Sequence, residues 1–553
     1  MSSQSPSLSD AGPDKQETID GVDNEIGAPT SPPADNGKDF KGIPSFWHDR
    51  FVETGLILSM ALYYVIGNGN LGSGYLFHLN PLLSLPFLFL FAVLCWYRLP
   101  FALALLPLTL PYYLLRKTVV GHYSFSLAEI TLAVCLLIAL LQLALKRGSW
   151  QYRLSWRELR DRLGPFTIPV LVFFAAAAIS IIVAYEKTFA LRAFREEVLD
   201  PLLYVVLALY CLRSRRDVRR LLAALLGTGL IVALFGMIQY LFFKQTLVLE
   251  ADGVRRVHAM YGSANSIGLL FDYILPIGLA LVAAKTRKLP ASWKACLAAL
   301  ALCLPMLYVL YLTQSFGAWL AIPVAALFIV ALSLRNRRAL LIGAVALLVA
   351  VSIALFFFHT RILGFIFASH VDVHQVSTTT KRLYLWRSAL NMIHDSPWFG
   401  YGMDNWLCHY SDNFICYTPH LHHYLIAKDP VTRISTDLKF EPNLSHPHNV
   451  FLHVWVSMGI FGMLAFAAVL VLFFWLFVRI LKHLRSSETK EYLSLQWMTM
   501  GVGAAMLAAM IQGQVDSAFL EQDLAFCFWM LVVALLLLRK LSGTEWRGSR
   551  RAR

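Results

Sequence analysis

Apolar runs separated by short polar clusters dominate the chain from residue 51 onward. The runs are apolar all round. A membrane β-strand would instead alternate apolar and polar positions over about ten residues. Most runs are long enough to cross about 30 Å of hydrocarbon as a helix. The pattern predicts fourteen spans, at 51–66, 82–96, 99–115, 125–145, 166–185, 198–212, 221–243, 267–284, 295–313, 317–334, 339–358, 449–478, 495–515 and 525–538. The second and third are short and close together, so the expected count is twelve to fourteen. The expected fold class is all-α, a polytopic transmembrane helix bundle.

The polar segments orient these spans. Residues 1–49 carry nine acids against three lysines and are rich in Ser, Pro and Gly, the composition of a disordered tail. Short basic clusters at 146–147, 213–220, 285–288, 335–338, 479–485 and 547–553 fall between runs, as the positive-inside bias requires of cytoplasmic segments. The assignment alternates correctly with the spans and puts both chain ends in the cytoplasm. The expected organisation is an acidic tail at 1–49, helices at 50–358, one large loop outside the cytoplasm at 359–448, helices at 449–538, and a basic tail at 539–553. A loop of that length is rarely idle. The smaller outer segments are 186–197, 244–266, 314–317 and 516–523.

Composition supports this picture. Hydrophobic residues make up 58% of the chain and charged residues 15%, too little charge for the surface of a soluble domain of this length. The formal charge of +14 belongs to the orienting clusters, which excludes a nucleic-acid reading. Most of the eight cysteines lie inside apolar runs, where cysteine acts as a small hydrophobe. Cys408 and Cys416 lie in the outer loop, where an oxidising compartment permits pairing; two free thiols are the alternative.

Ten of the sixteen histidines lie within 359–448. The sharpest cluster, Ser445-His446-Pro447-His448-Asn449, directly precedes an apolar run. Pro447 breaks any helix upstream, so His448 is expected at a helix N-terminus. The positive end of the dipole there favours an uncharged imidazole, the form a general base needs. Capping or interface anchoring is the alternative for a single histidine. Arg192, Arg195, Arg255, Arg256, Arg382 and Arg387 lie in outer segments, against the positive-inside bias. Their planar forks suit phosphate oxygens, while snorkelling or pairing with nearby glutamates is the alternative. His420, His422 and His423 form a second cluster, but neither cluster has HExxH or Cys-His metal spacing. No metal or other cofactor is expected.

The stretch His448-Asn449-Val450-Phe451-Leu452, followed by Gly459-Ile460-Phe461-Gly462, resembles the signature of the bacterial O-antigen ligase and polymerase family. Arg382-x-x-x-Trp386 with Asp395-Ser396-Pro397-Trp398-Phe399-Gly400-Tyr401-Gly402 is similar to the family's entry into the outer loop, and 255–266 to its Arg…Gly…Asn pattern. Asp516 falls where many members have an acid. The resemblance covers roughly 165–540. It departs at Ser315-Phe316-Gly317, where many members read Ser-Arg-Gly. It implies a membrane glycosyltransferase at the periplasmic face of the bacterial inner membrane. Such an enzyme moves a glycan from undecaprenyl diphosphate to an acceptor hydroxyl, on lipid A core, on a growing glycan or on a protein. It also implies His448 as the base and Arg382, then Arg255, Arg256, Arg195 and Arg192, as diphosphate ligands, with His446, Asn449, Asp516 and Trp386 supporting. The reaction is expected to be metal-independent and inverting. The competing class is a transporter of an anion or lipid-linked sugar. Transport sites sit near the bilayer midplane, whereas these polar groups cluster at one face, with Asp272 the main exception.

Overall fold

A computed structural model describes residues 45–72, 74–120, 123–145, 155–249, 255–286, 293–334, 378–411, 416, 420–425, 444–485 and 490–546. The expected span at 339–358, both tails in large part, and much of the outer loop lie outside the described residues. The chain is an all-α helix bundle. Its helices are α1 (Ser45–Val65), α2 (Leu85–Leu105), α3 (Leu127–Ala144), α4 (Trp156–Leu163), α5 (Thr167–Val183), α6 (Lys187–Ala193), α7 (Asp200–Cys211), α8 (Arg215–Phe242), α9 (Ala264–Thr286), α10 (Trp293–Thr313), α11 (Phe316–Ser333), α12 (Thr378–Asp395), α13 (Trp406–Tyr410), α14 (Val450–Arg485), α15 (Lys490–Gln512) and α16 (Gln522–Leu541). Two short hairpins, β1–β2 (Lys117–Val120, Tyr123–Phe125) and β3–β4 (Val248–Leu249, Arg255–Arg256), are the strands among the described residues.

Among the described residues, ten hydrophobic helical segments are long and apolar enough to cross a membrane. In lipid every backbone polar group must be satisfied within the protein, which helices do by themselves. α16 is buried along almost its whole length and forms the centre of the bundle. It is correspondingly apolar on all faces. Capping boxes set the starts of α3 (Ser126 with Glu129) and α8 (Ser214 with Asp217), each satisfying two otherwise orphaned amides.

The short spans expected at 82–96 and 99–115 form one hydrophobic segment, Pro81–Tyr112, that breaks at Arg98 (φ −141°, ψ 56°) ahead of Pro100. The chain doubles back there. Lys117 Nζ donates to Ser84 Oγ (3.0 Å), and to the carbonyls of Tyr63 and Ile66 at the end of α1. The segment is therefore a hairpin of two half-length passes, with residues 84 and 117 at one end and Arg98 at the other.

The segments expected outside the cytoplasm meet one another. Arg116 pairs with Glu196, the Glu186 amide with Asn405, Arg192 with Asp404, and Tyr113 with Glu521. α14 begins at this same end, and two turns in it breaks at Gly459 (φ +71°). The break frees the carbonyls of Val456 and Ser457, which accept the amides of Tyr401 (2.7 Å) and Gly402 (3.1 Å); Ile460 N donates to Pro397 O (2.9 Å). The Pro397–Gly402 motif and the Gly459 motif, read separately in the sequence, are two sides of one joint.

A Cβ at Gly459 would lie 2.0 Å from Trp398 O, and the left-handed backbone alone costs any other residue about 1–2 kcal/mol. Gly459→Ala should lower the thermal midpoint of the purified protein by several degrees. Gly262→Ala, where the added methyl meets nothing within 4 Å, should not.

Candidate functional site

His448 stands two residues before α14, in the left-handed region (φ +50°) that non-glycine residues seldom adopt. Its neighbours fix it there. Asn449 caps the helix, its Oδ1 accepting from the amides of Phe451 and Leu452 (both 3.0 Å). Asn449 Nδ2 donates to Gln514 O (3.0 Å), and Val450 N to Gly513 O (2.7 Å), which ties the helix start to the turn between α15 and α16. From α12, Trp386 Nε1 donates to His448 O (3.2 Å). Strain of this kind persists only where the surroundings over-determine it, as they do at functional sites.

That turn brings Asp516 to the imidazole. His448 Nδ1 lies 2.7 Å from Asp516 Oδ1, which also accepts the Ser517 amide (2.9 Å), and His446 Nε2 lies 3.4 Å away. Burial would raise the Asp516 carboxyl, but its interactions with His448 and His446 hold it well below the usual carboxylate range. A carboxylate only accepts hydrogen bonds, so Nδ1 of His448 carries the proton toward it. In the neutral imidazole, Nε2 is then left with its lone pair free. Burial pushes the His446 imidazole down; Asp516 opposes this, while His448 and Arg382 reinforce it. His446 packs edge-on to His448 (ring centroids 4.6 Å apart) and stacks on His453 (5.6 Å), whose Nδ1 lies 2.6 Å from Ser517 Oγ.

The arginines separate into different surroundings. Arg382, half-buried on α12, is close enough to act on His446. Arg256 holds the turn before α11, donating to Thr313 O (2.7 Å), Gln314 O (3.0 Å) and Asn265 Oδ1 (2.9 Å). Arg255 is exposed on β4, and among the described residues its side chain has no ion pair. Arg195 pairs with Glu129 (2.8 Å) and Glu196 (2.9 Å), and Arg192 with Asp404 (2.7 Å). Arg387 is exposed. Thus His448, His446, Asn449, Asp516, Trp386 and Arg382 form one group. Arg192, Arg195 and Arg256 are engaged by the protein itself.

Sequence reasoning missed a partly buried acidic set beside this group. Burial raises the Glu197 carboxyl well above its ordinary value, and the neighbouring acids Asp404, Glu196 and Glu521 add to it against Arg192. Burial likewise raises Glu521, reinforced by Asp523 and Asp516; Tyr113 donates to its Oε2 (3.3 Å). Acids in short outer segments next to apolar runs were the available signal. Nearby, an apolar cavity of about 480 Å³ lies between α1, the α2 hairpin and α8, with Tyr112, Leu115 and Met260 among its lining. The next residues along, Tyr113 and Tyr261, have ring centroids 5.9 Å apart and lead from the cavity toward Glu521. In the outer loop Cys408 and Cys416 form a disulfide, whereas Cys95, Cys135, Cys211, Cys296, Cys303 and Cys527 are buried free thiols.

Fold and site together define a multi-pass membrane protein whose imidazole–carboxylate pair stands at one end of its helix bundle. Residues 298–467, about a third of the chain, match the family described as O-Antigen ligase, which supports membrane glycan transfer of that general type. The matched stretch includes Arg382, Trp386, His446, His448 and Asn449, and stops short of Asp516. No curated protein matches the chain.

Two outcomes are expected. Without reductant, alkylation and mass mapping should find Cys408 and Cys416 joined and the six buried thiols modified only after denaturation. A carboxylate with a depressed folded value contributes stability that is full above its unfolded value of about 3.9 and is lost as pH falls through the lower folded value. Asp516→Asn should therefore flatten the acid limb of a thermal-midpoint-against-pH curve below about pH 4.

Proposed function

We propose that the protein transfers a glycan from undecaprenyl diphosphate to an acceptor hydroxyl at the periplasmic face of the inner membrane, as an O-antigen ligase or polysaccharide polymerase. The observation that carries this reading is the 2.7 Å contact between His448 Nδ1 and an ionised Asp516. It fixes the tautomer in which Nε2 takes the proton from the acceptor oxygen. As that proton leaves, the oxygen attacks the anomeric carbon and the bond to the diphosphate breaks. A single displacement of this kind inverts the anomeric configuration. Asp516 stabilises the imidazolium that forms, as the orienting carboxylate does in the serine-protease triad.

The leaving diphosphate gathers negative charge, so fixed cations nearby lower the barrier. Arg382 stands first because it shares the His446 neighbourhood. Arg256 stands next. Its guanidinium lies on the Gln314 carbonyl, beside Ser315-Phe316-Gly317, where the family's Ser-Arg-Gly arginine is missing. It supplies a cation to that turn from a different element. Arg255, exposed beside it, and Arg195 and Arg192, exchanging carboxylate partners for phosphate, complete the set. The 480 Å³ cavity suits the polyprenyl chain, since its lining is almost wholly apolar and its rim adjoins Tyr113 and Tyr261. With arginines supplying the charge, the transfer requires no metal. The Cys408–Cys416 disulfide supports an oxidising compartment for the loop. Gathering of the polar groups at one end of the bundle supports transfer over transport, whose sites lie near the midplane.

In a reconstituted assay with carrier-linked glycan, His448→Ala should abolish transfer while the protein remains in the membrane, and Asp516→Asn should reduce it about 10²–10⁴-fold. Near-normal transfer by His448→Ala would remove the base from the scheme. Arg382→Lys keeps charge but loses the two-pronged fork; its donor KM should rise, and an unchanged value would exclude phosphate binding there.

A further inference from the structure

The same group has the geometry of a second, opposing occupant. His446 Nε2 and His448 Nδ1 both face Asp516 Oδ1, at 3.4 and 2.7 Å, and the ligand atoms of the three residues lie within 4.8 Å of one another. Ligands around a tetrahedral zinc ion, bound at about 2.0–2.1 Å, stand roughly 3.3 Å apart. Small side-chain shifts therefore bring all three onto one ion, with a fourth position left for water or an acceptor oxygen. A supporting partner is in place as well. Ser445 Oγ lies 3.1 Å from His446 Nδ1 and would accept its proton once Nε2 is metal-bound.

We propose that a zinc-class transition metal binds at His446, His448 and Asp516 and inhibits transfer by reversing the tautomer of His448. Two nitrogens and one carboxylate favour zinc or copper over magnesium or calcium, which take oxygen-rich sites. Arg382 acts on His446 and opposes any cation, which further excludes weakly held ions. When the metal takes Nδ1, the proton of that nitrogen moves to Nε2. The imidazole stays neutral and no electron changes hands, but Nε2 becomes a donor and can no longer accept the hydroxyl proton. The inhibitory step thus rests on His448 acting as the base; the binding step does not.

The test uses the full chain, purified and reconstituted. Zinc chloride is titrated by calorimetry and by competition with a coloured chelator, with magnesium chloride in parallel. Transfer is assayed at each occupancy. One tight zinc per chain is expected. His446→Gln and Asp516→Asn should each weaken it at least tenfold, and magnesium should not bind. A His420→Ala, His422→Ala, His423→Ala triple variant should retain it, which separates this site from the histidines of the outer loop. Transfer should fall at least tenfold as the site fills, and return on adding EDTA.

The proposal is overturned if no stoichiometric zinc binds, or if binding survives both His446→Gln and Asp516→Asn. It is equally overturned if binding is lost in the triple variant, or if transfer is unchanged or faster at full occupancy. Should His448→Ala transfer normally, the base and the inhibitory step fail together, while the calorimetry still decides whether the metal binds.

Discussion

The Asp516 carboxylate lies almost wholly out of solvent and accepts from His448 Nδ1 and the Ser517 amide. A bare charge in that setting would be expensive, and taking away one partner of such a buried pair leaves the other uncompensated. The pairing therefore fixes more than two side chains. It joins the end of the outer loop to the turn between α15 and α16, and so sets where α14 begins. Trp386 closes the arrangement from α12 by holding the strained carbonyl of His448. Each of the three helices at this end depends on the others for the position of its polar residues.

Around this centre, charge is largely cancelled within the protein. Arg116, Arg192 and Arg195 meet Glu196, Asp404 and Glu129, while Glu197 and Glu521 lie half-buried among other acids. A phosphate approaching the carboxylate-rich side must displace an acid from an arginine.

Local pattern carried a great deal of this. Apolar runs located the helices because a bilayer demands uninterrupted apolar length. Pro447 placed His448 at a helix start, since a proline break is a local signal. The two short, close runs around Arg98 left only the span count open; that they form a hairpin had no local signal. What remained hidden was pairing at a distance. Nothing near His448 announces that its partner is Asp516, nor that Arg256 spends its fork on the turn at Gln314. The role of Gly459 was equally hidden, because it depends on Trp398 lying against it. The choice between a disulfide and two thiols at Cys408 and Cys416 was likewise a question of distance.

The hairpin that turns at Arg98 has a consequence for the surrounding lipid. The arm 85–97 rises only about 20 Å at ~1.5 Å per residue, and the arm 99–112 about 25 Å because its 106–112 half is a 3-10 helix rising ~2.0 Å per residue. The hydrocarbon layer is about 30 Å thick, and a shortfall of that size is met by local thinning of the bilayer. A helix pair this short is accommodated where the bilayer thins beside it or where neighbouring helices shield its ends from lipid.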